Sequence, residues 1–114
     1  MKIDYKGIME NIVTFKESGT VQKGDFVKVN DNDAVSKCAG GDAFDGIAVN
    51  VSNGIVAVKL SGFEKVDVAS QPSFGRGSFC VNSDGKLESA TSGGTSCLVV
   101  SYDAGSSQAV VYFG

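Results

Sequence analysis

The chain has 114 residues, of which 42% are hydrophobic and 20% charged, and its formal charge is -3. That is one globular domain's worth of chain, large enough to make a core without metals or cross-links and too apolar for disorder. No Lys/Arg run marks a nucleic-acid surface and no apolar stretch approaches the roughly 18 residues of a membrane span, so neither nucleic acid nor membrane is an expected partner.

Residues 1–18 read as an N-terminal arm or a first strand. The opening seven residues lack the apolar core of a signal peptide, so a chain made and kept in a cytosol is expected. Ile3, Tyr5, Ile8, Met9, Ile12, Val13 and Phe15 are more apolar surface than an idle tail carries. A strand is predicted over residues 12–15. Ile3, Tyr5, Ile8 and Met9 are candidate contacts with another subunit or partner, made by adding a strand to its sheet. The only helical signals are weak, near Met9-Glu10 and over residues 70–74.

Residues 19–114 read as a single all-β domain. Fifteen glycines, a single proline and many Val and Phe residues suit short strands joined by tight turns. Strands are predicted over residues 25–29, 34–38, 46–52, 55–60, 64–68, 78–81, 86–89, 97–102 and 108–113. Asn53-Gly54 and Asp84-Gly85 are hairpin signals, because Asn, Asp and Gly tolerate positive φ. Val56, Val58 and Leu60 alternate with Ala57 and Lys59, which puts the valines on a buried face and Lys59 on an open one.

The two halves share a pattern with a period of about 52 residues. Val29, Asn30 and Val35 align with Val81, Asn82 and Leu87. Residues 46–49 align with 97–100, and residues 56–60 with 109–113. The pseudo-repeats span 24–62 and 76–114, and every gap falls in a turn. Units that cannot bury a face alone pack on their copies, so the expected fold is a small β-barrel or sandwich of two similar strand units.

The chain contains no histidine, the commonest general base and metal ligand, and no enzyme is expected. Cys38, Cys80 and Cys97 share no metal-binding spacing and read as reduced thiols, with Cys80 turned outward between Phe79 and Val81. Asp31-Asn32-Asp33 lacks the Gly and Glu of a calcium loop and reads as a turn. Gly40-Gly41-Asp42 and Gly93-Gly94-Thr95 lack the ending of a phosphate loop. Arg76 reads as a solvated charge in a flexible Gly75-Arg76-Gly77 loop. No catalytic, cofactor-binding or metal-binding residue is assigned.

Gly19-Thr20-Val21-Gln22-Lys23-Gly24-Asp25-Phe26-Val27-Lys28-Val29 resembles the opening of the small phage capsid cement, or head decoration, proteins. Asp45-Gly46-Ile47-Ala48-Val49 is similar to the family's next strand, residues 56–63 to the strand after it, and residues 77–114 to its second copy of the pattern. The second copy departs from the first at Ser96-Cys97-Leu98. The resemblance implies a structural protein of the phage or prophage virion, made in the bacterial host cytoplasm. It would bind the major capsid protein on the outside of the head and self-associate, as a homotrimer. The alternative is a non-catalytic β-barrel binding module for a peptide or glycan. With no tryptophan, the chain is poor in glycan-stacking groups.

Overall fold

The structure, a computed structural model, describes residues 10–114. The described residues form nine strands and no helix: β1 (Asn11–Glu17), β2 (Phe26–Asp31), β3 (Ala34–Lys37), β4 (Gly46–Ser52), β5 (Ile55–Asp67), β6 (Gly75–Val81), β7 (Leu87–Ser89), β8 (Thr95–Asp103) and β9 (Gln108–Phe113). They make one mixed sheet in the order β1-β3-β2-β4-β5-β9-β8-β6-β7. β1 also pairs with β5, so the first five strands close into a small ring. The second half of β5 starts another ring, β5-β9-β8-β6-β7, which a single parallel bridge from Val68 to Leu87 closes. The fold is therefore two small β-barrels of similar strand units that share one strand.

The units match at the level of individual pairs. Ala48 lies opposite Val58 in the first ring, and Val99 opposite Val111 in the second. The register then slips in the same place, between Ala48 and Asn50 and between Val99 and Ser101. Val29 faces Val35 as Val81 faces Leu87. The match also extends beyond the predicted repeat. Phe15 of β1 lies opposite Val56, and Val66 of β5 opposite Ala109. The Ser18 amide donates to the Val35 carbonyl at 2.8 Å, as the Ala69 amide does to the Leu87 carbonyl at 2.9 Å. The second half of β5 is thus to the second ring what β1 is to the first, and residues 11–17 belong to the repeated core rather than lying outside it.

β5 is a single strand of 13 residues where two were predicted. Gly62 sits at φ 132°, a region that favours glycine, and a Cβ built there would stand 3.0 Å from the Glu10 Cγ. Ser61-Gly62 is therefore a bend at which pairing passes from β1 and β4 to β9, not a break.

Alternation places one residue in two inside each ring. The first ring encloses Val21, Val27, Val35, Ala48, Val56 and Val58. The second encloses Val66, Val68, Val81, Leu87, Val99, Val111 and Phe113 among others, and its core also takes in Phe26, Cys38, Phe44 and Ile47 from the first unit. Each fully buried Val, Leu or Phe contributes about 1.5–3 kcal/mol.

The turns follow local chemistry. Asn53 and Gly54 both take positive φ, 53° and 79°, as a type I′ hairpin requires. The Asp84-Gly85 corner is longer than a two-residue turn. The Asn82 side-chain oxygen accepts from the Asp84 and Lys86 amides, both at 2.9 Å, and the Gly85 amide donates to the Asn82 carbonyl at 3.0 Å. Asp31-Asn32-Asp33 is a turn, with Asp33 at φ 56°.

Candidate functional site

The candidate contacts Ile3, Tyr5, Ile8 and Met9 lie outside the described residues. The first described residue, Glu10, enters a charged knot at the seam between the rings. Lys59 lies on the outer face of the first ring, as its alternation with Val58 requires. That face is not open, however: Lys59 is only 5% exposed. Beyond it the chain bends at Gly62, and the side chain is enclosed by Glu10 and by the start of the second ring. Its Nζ lies 2.7 Å from the Glu10 Oε2 and 2.8 Å from the Glu64 Oε2, and donates to the Phe63 carbonyl at 3.1 Å. Burial pulls the Lys59 pKa down, but hydrogen bonds to the two carboxylates outweigh it and leave the pKa above the ordinary value. Lys59 is therefore a fixed cation, neither a base nor a nucleophile at neutral pH.

Residues 38–45 form the second tie across the seam. Phe44 leaves the first unit and seats in the second core, 4.8 Å from the Phe26 ring and 5.6 Å from the Phe113 ring, centroid to centroid. Its carbonyl accepts from the Thr95 hydroxyl at 2.6 Å. The Gly41 amide donates to the Val81 carbonyl at 2.7 Å, and the Val81 amide to the Asp42 carbonyl at 2.9 Å. The Asp42 carboxylate in turn accepts from the Lys28 ammonium at 2.6 Å and the Ala39 amide at 2.8 Å, and these bonds hold its pKa below the ordinary value.

Two shallow clefts run along this seam. One, of about 300 Å³, is lined by Lys23, Phe26, Lys37, Asp67, Val81 and Asp84 among others. The other, of about 190 Å³, is lined by Phe26, Ile47, Glu64, Asp67 and Gln108 among others. Both are polar troughs between neighbouring units rather than enclosed apolar cavities of the kind small-molecule sites use.

The thiols of Cys38, Cys80 and Cys97 are free, and all three are buried. Cys80 lies on the strand face opposite Phe79 and Val81, as expected, but that face is buried there rather than open to solvent. Its sulfur lies 3.8 Å from the Glu88 Oε2, and burial followed by the Glu88 carboxylate raises its pKa. Burial pushes the Cys38 and Cys97 thiols up to about 12, with the Asp42 carboxylate adding to the effect at Cys38. None of the three carries the thiolate that reactive cysteines need. Arg76 is a strand residue rather than a loop residue. It lies opposite Leu98, and its guanidinium donates to the Ser96 hydroxyl at 3.0 Å.

On the outer sheet faces, the first ring carries a row across four strands, Phe26–Ile47–Lys59–Ile12. The second ring carries a cross-strand row in the corresponding ladders, Arg76–Leu98–Tyr112–Phe63, although the aligned repeat makes Ser78, not Arg76, the counterpart of Phe26. Phe26, Ile47 and Lys59 are buried at the seam, whereas Leu98, Tyr112 and Phe63 remain half-buried and Arg76 is exposed. The Phe63 and Tyr112 rings pack with centroids 5.0 Å apart.

No protein-family model and no curated protein matches the chain. Among the described residues no helix is long and apolar enough to cross a membrane, and no group of three or more Cys, Asp or Glu residues is placed to hold a metal ion.

Phe44 was not singled out from the sequence, and Lys59 was read there as lying on an open face. A lone aromatic in a Gly/Asp-rich loop and a lysine at mid-strand, with Glu64 five residues on, were the available signals. Both become meaningful only once the two units are docked.

Proposed function

We propose that the chain is a non-catalytic structural protein of a phage-type virion, which binds the outside of the head and self-associates as a trimer. The observation that carries this reading is the motif of residues 19–29, in which Val21, Gly24, Asp25 and Val27 each have a structural task. Val21 and Val27 fill the first ring, and the Glu17 carboxylate accepts from the Val21 amide at 2.8 Å. Gly24 takes φ 93°, and the Asp25 carboxylate accepts from the Gln22 amide at 2.9 Å. A duplicated scaffold with charged knots, buried thiols and shallow polar seams suits a part that bears load.

The proposed head contact is the N-terminal segment with Ile3, Tyr5, Ile8 and Met9, which joins the fold beside Glu10 at the seam. The test is binding of purified protein to heads that lack it, comparing the full chain with a variant lacking residues 1–8. An unchanged melt with lost head binding supports the segment as the contact, and full binding by the truncated protein removes it from the mechanism. The half-buried Phe63–Tyr112 pair is the one feature that favours a peptide- or glycan-binding module. A strictly monomeric protein with no affinity for heads would put that second reading first.

A further inference from the structure

The two rings are latched in the same way, at corresponding turns. In the first ring the Gly54 carbonyl, at the end of the β4–β5 turn, accepts from the Glu17 amide of β1 at 2.8 Å. In the second ring the Ser107 carbonyl, at the end of the β8–β9 turn, accepts from the Val68 amide at 3.0 Å. Glu17 and Val68 hold equivalent places, since both also pair in parallel, Glu17 with Val35 and Val68 with Leu87. Both acceptors end their turns at positive φ, 79° for Gly54 and 53° for Ser107.

The chemistry of the two turns differs. The second ring's turn is Ala104-Gly105-Ser106-Ser107, with no side-chain amide, whereas the first ring's is Asn53-Gly54. Asparagine is a thermolabile residue, because its side-chain carbonyl can be attacked by the next amide nitrogen in the chain. Glycine in that next position leaves the nitrogen least hindered, as it carries no Cβ. The chain has six asparagines, and Asn53 alone among them precedes a glycine.

The surroundings of this pair leave the attack open. Asn53 and Gly54 are both exposed, and beyond their chain neighbours no atom lies within 4 Å of the place a Gly54 Cβ would take. Among the described residues neither the Gly54 amide nor the Asn53 side chain makes a hydrogen bond. The two Asp-Gly pairs of the same chain are held instead. The Gly85 amide donates to the Asn82 carbonyl at 3.0 Å. Gly46 is packed against Val58 and Lys59, and the Asp45 carboxylate accepts from the Val29 amide at 2.8 Å.

We infer that Asn53-Gly54 is a self-modification site, at which closure of a succinimide and its hydrolysis to isoaspartate release the latch between Gly54 and Glu17. The hairpin tip opens so that the Gly54 nitrogen turns toward the Asn53 Cγ. That nitrogen loses its proton to solvent and bonds to Cγ, while the Cγ–Nδ2 bond breaks and the side-chain nitrogen leaves as ammonia with a proton from solvent. Water then adds to one of the two ring carbonyls and breaks its bond to the Gly54 nitrogen. The balance is one water consumed and one ammonia released, with no oxidation or reduction. Opening at Cγ leaves an aspartate, which tolerates positive φ as asparagine does and keeps the turn. Opening at the main-chain carbonyl leaves an isoaspartate, whose main chain runs through Cβ and Cγ and is one atom longer.

A longer main chain no longer fits a two-residue turn closed by the Ser52–Ile55 pair. The Gly54 carbonyl is then carried away from the Glu17 amide. β1 keeps its ladder to β5, but its parallel pairing with β3 covers only Lys16 and Glu17, so the first ring opens where it closes on itself. The second ring has no such chemistry at its latch and stays shut. The inference concerns the chain itself and does not rest on capsid binding.

The test is to age the full chain in mildly alkaline buffer, folded and in denaturant, and to map it by peptide mass spectrometry and isoaspartyl methyltransferase labelling. Amide exchange at Glu17 and Val68 is read on the aged folded sample by NMR. In the folded protein residue 53 is expected to convert before any other asparagine and to carry the methyl label. The Glu17 amide should lose its protection in the isoaspartate fraction, while Val68 keeps its own. Asn53→Gly suits the same turn without a side-chain amide, and should age with Glu17 still protected. Freshly purified Asn53→Asp, which carries the direct product, should protect Glu17 as the wild type does. Another asparagine converting first in the folded protein, or Asn53 converting in denaturant alone, overturns the modification site. Isoaspartate at position 53 with full protection at Glu17, or equal loss of protection in aged Asn53→Gly, overturns the latch.

Discussion

The two rings share strand order, one register slip and turn positions, yet equivalent residues have different fates. Val81 is sealed against residues 41 and 42, whereas Val29, its counterpart, stands nearly half exposed. Phe113 is buried in a core that Phe44 enters from the other unit, whereas Leu60, its counterpart, is only partly buried. The second ring closes through one bridge and is completed by groups lent from the first. The first ring closes through β1 ladders on both sides and receives no such loan. A shared strand pattern thus specifies each ring's path, while the neighbour decides how much each position is worth.

The sharpest way to break this comparison is a matched pair of substitutions. Val81→Lys puts an unpaired charge into the second core and should cost several kcal/mol, enough to unfold a protein of typical ~5–15 kcal/mol stability. Val29→Lys, at the equivalent place, should change stability by no more than about 0.5 kcal/mol. Equal denaturant midpoints for the two would mean that the rings are buried alike.

Phe44→Ala comes next, at about 3–5 kcal/mol by chemical denaturation. Because Phe44 ties the units together, its loss should expose the Val81 and Gly41 amides to hydrogen exchange before those of the first ring. Uniform loss of protection would argue that the rings unfold as one.

Lys59→Ala should cost about 3 kcal/mol, since it leaves the Glu10 and Glu64 carboxylates facing each other without their cation. On alternation alone this change would be mild. A melting temperature within a degree or so of the wild type would show that the knot contributes nothing.

The smallest effect concerns Asp42, whose pKa is lowered chiefly by its hydrogen bond to Lys28 and then by the Ala39 amide. A carboxyl lowered on folding stabilises above its unfolded value of 3.8, and the benefit is lost as pH falls through the lower folded value. Asp42→Asn should therefore flatten the drop in melting temperature below pH 3.8 and leave the second ring's own turns unaffected. Identical acid limbs in the two proteins would remove Asp42 from the seam's stability.

Much of the fold was legible in the residues. Strand segments were predicted within each of the nine strands, with β5 read as two, alternation marked β4 and the first half of β5, Asn53-Gly54 marked a turn that only positive-φ residues can make, and the pairing of Val29 with Val35 and of Val81 with Leu87 follows the aligned repeat. These features are local, because period-two burial and φ preference act within a few residues of the chain. Among the candidate site residues, Ile3, Tyr5, Ile8 and Met9 were chosen for apolar content alone, which sets up the expectation of a partner without indicating which surface it would offer.

Only the tertiary structure decided the rest. Whether Ser61-Gly62 breaks β5 or bends it depends on Glu10 and Lys59 packing beside a missing Cβ. Alternation set Lys59 opposite Val58, but a residue facing out of one ring can still be buried by the next. Cys80 likewise faces away from Phe79 along its strand and is buried beside Glu88 all the same. Period-two patterning assigns a side to each residue, and only the packing of one unit on another decides whether that side meets water.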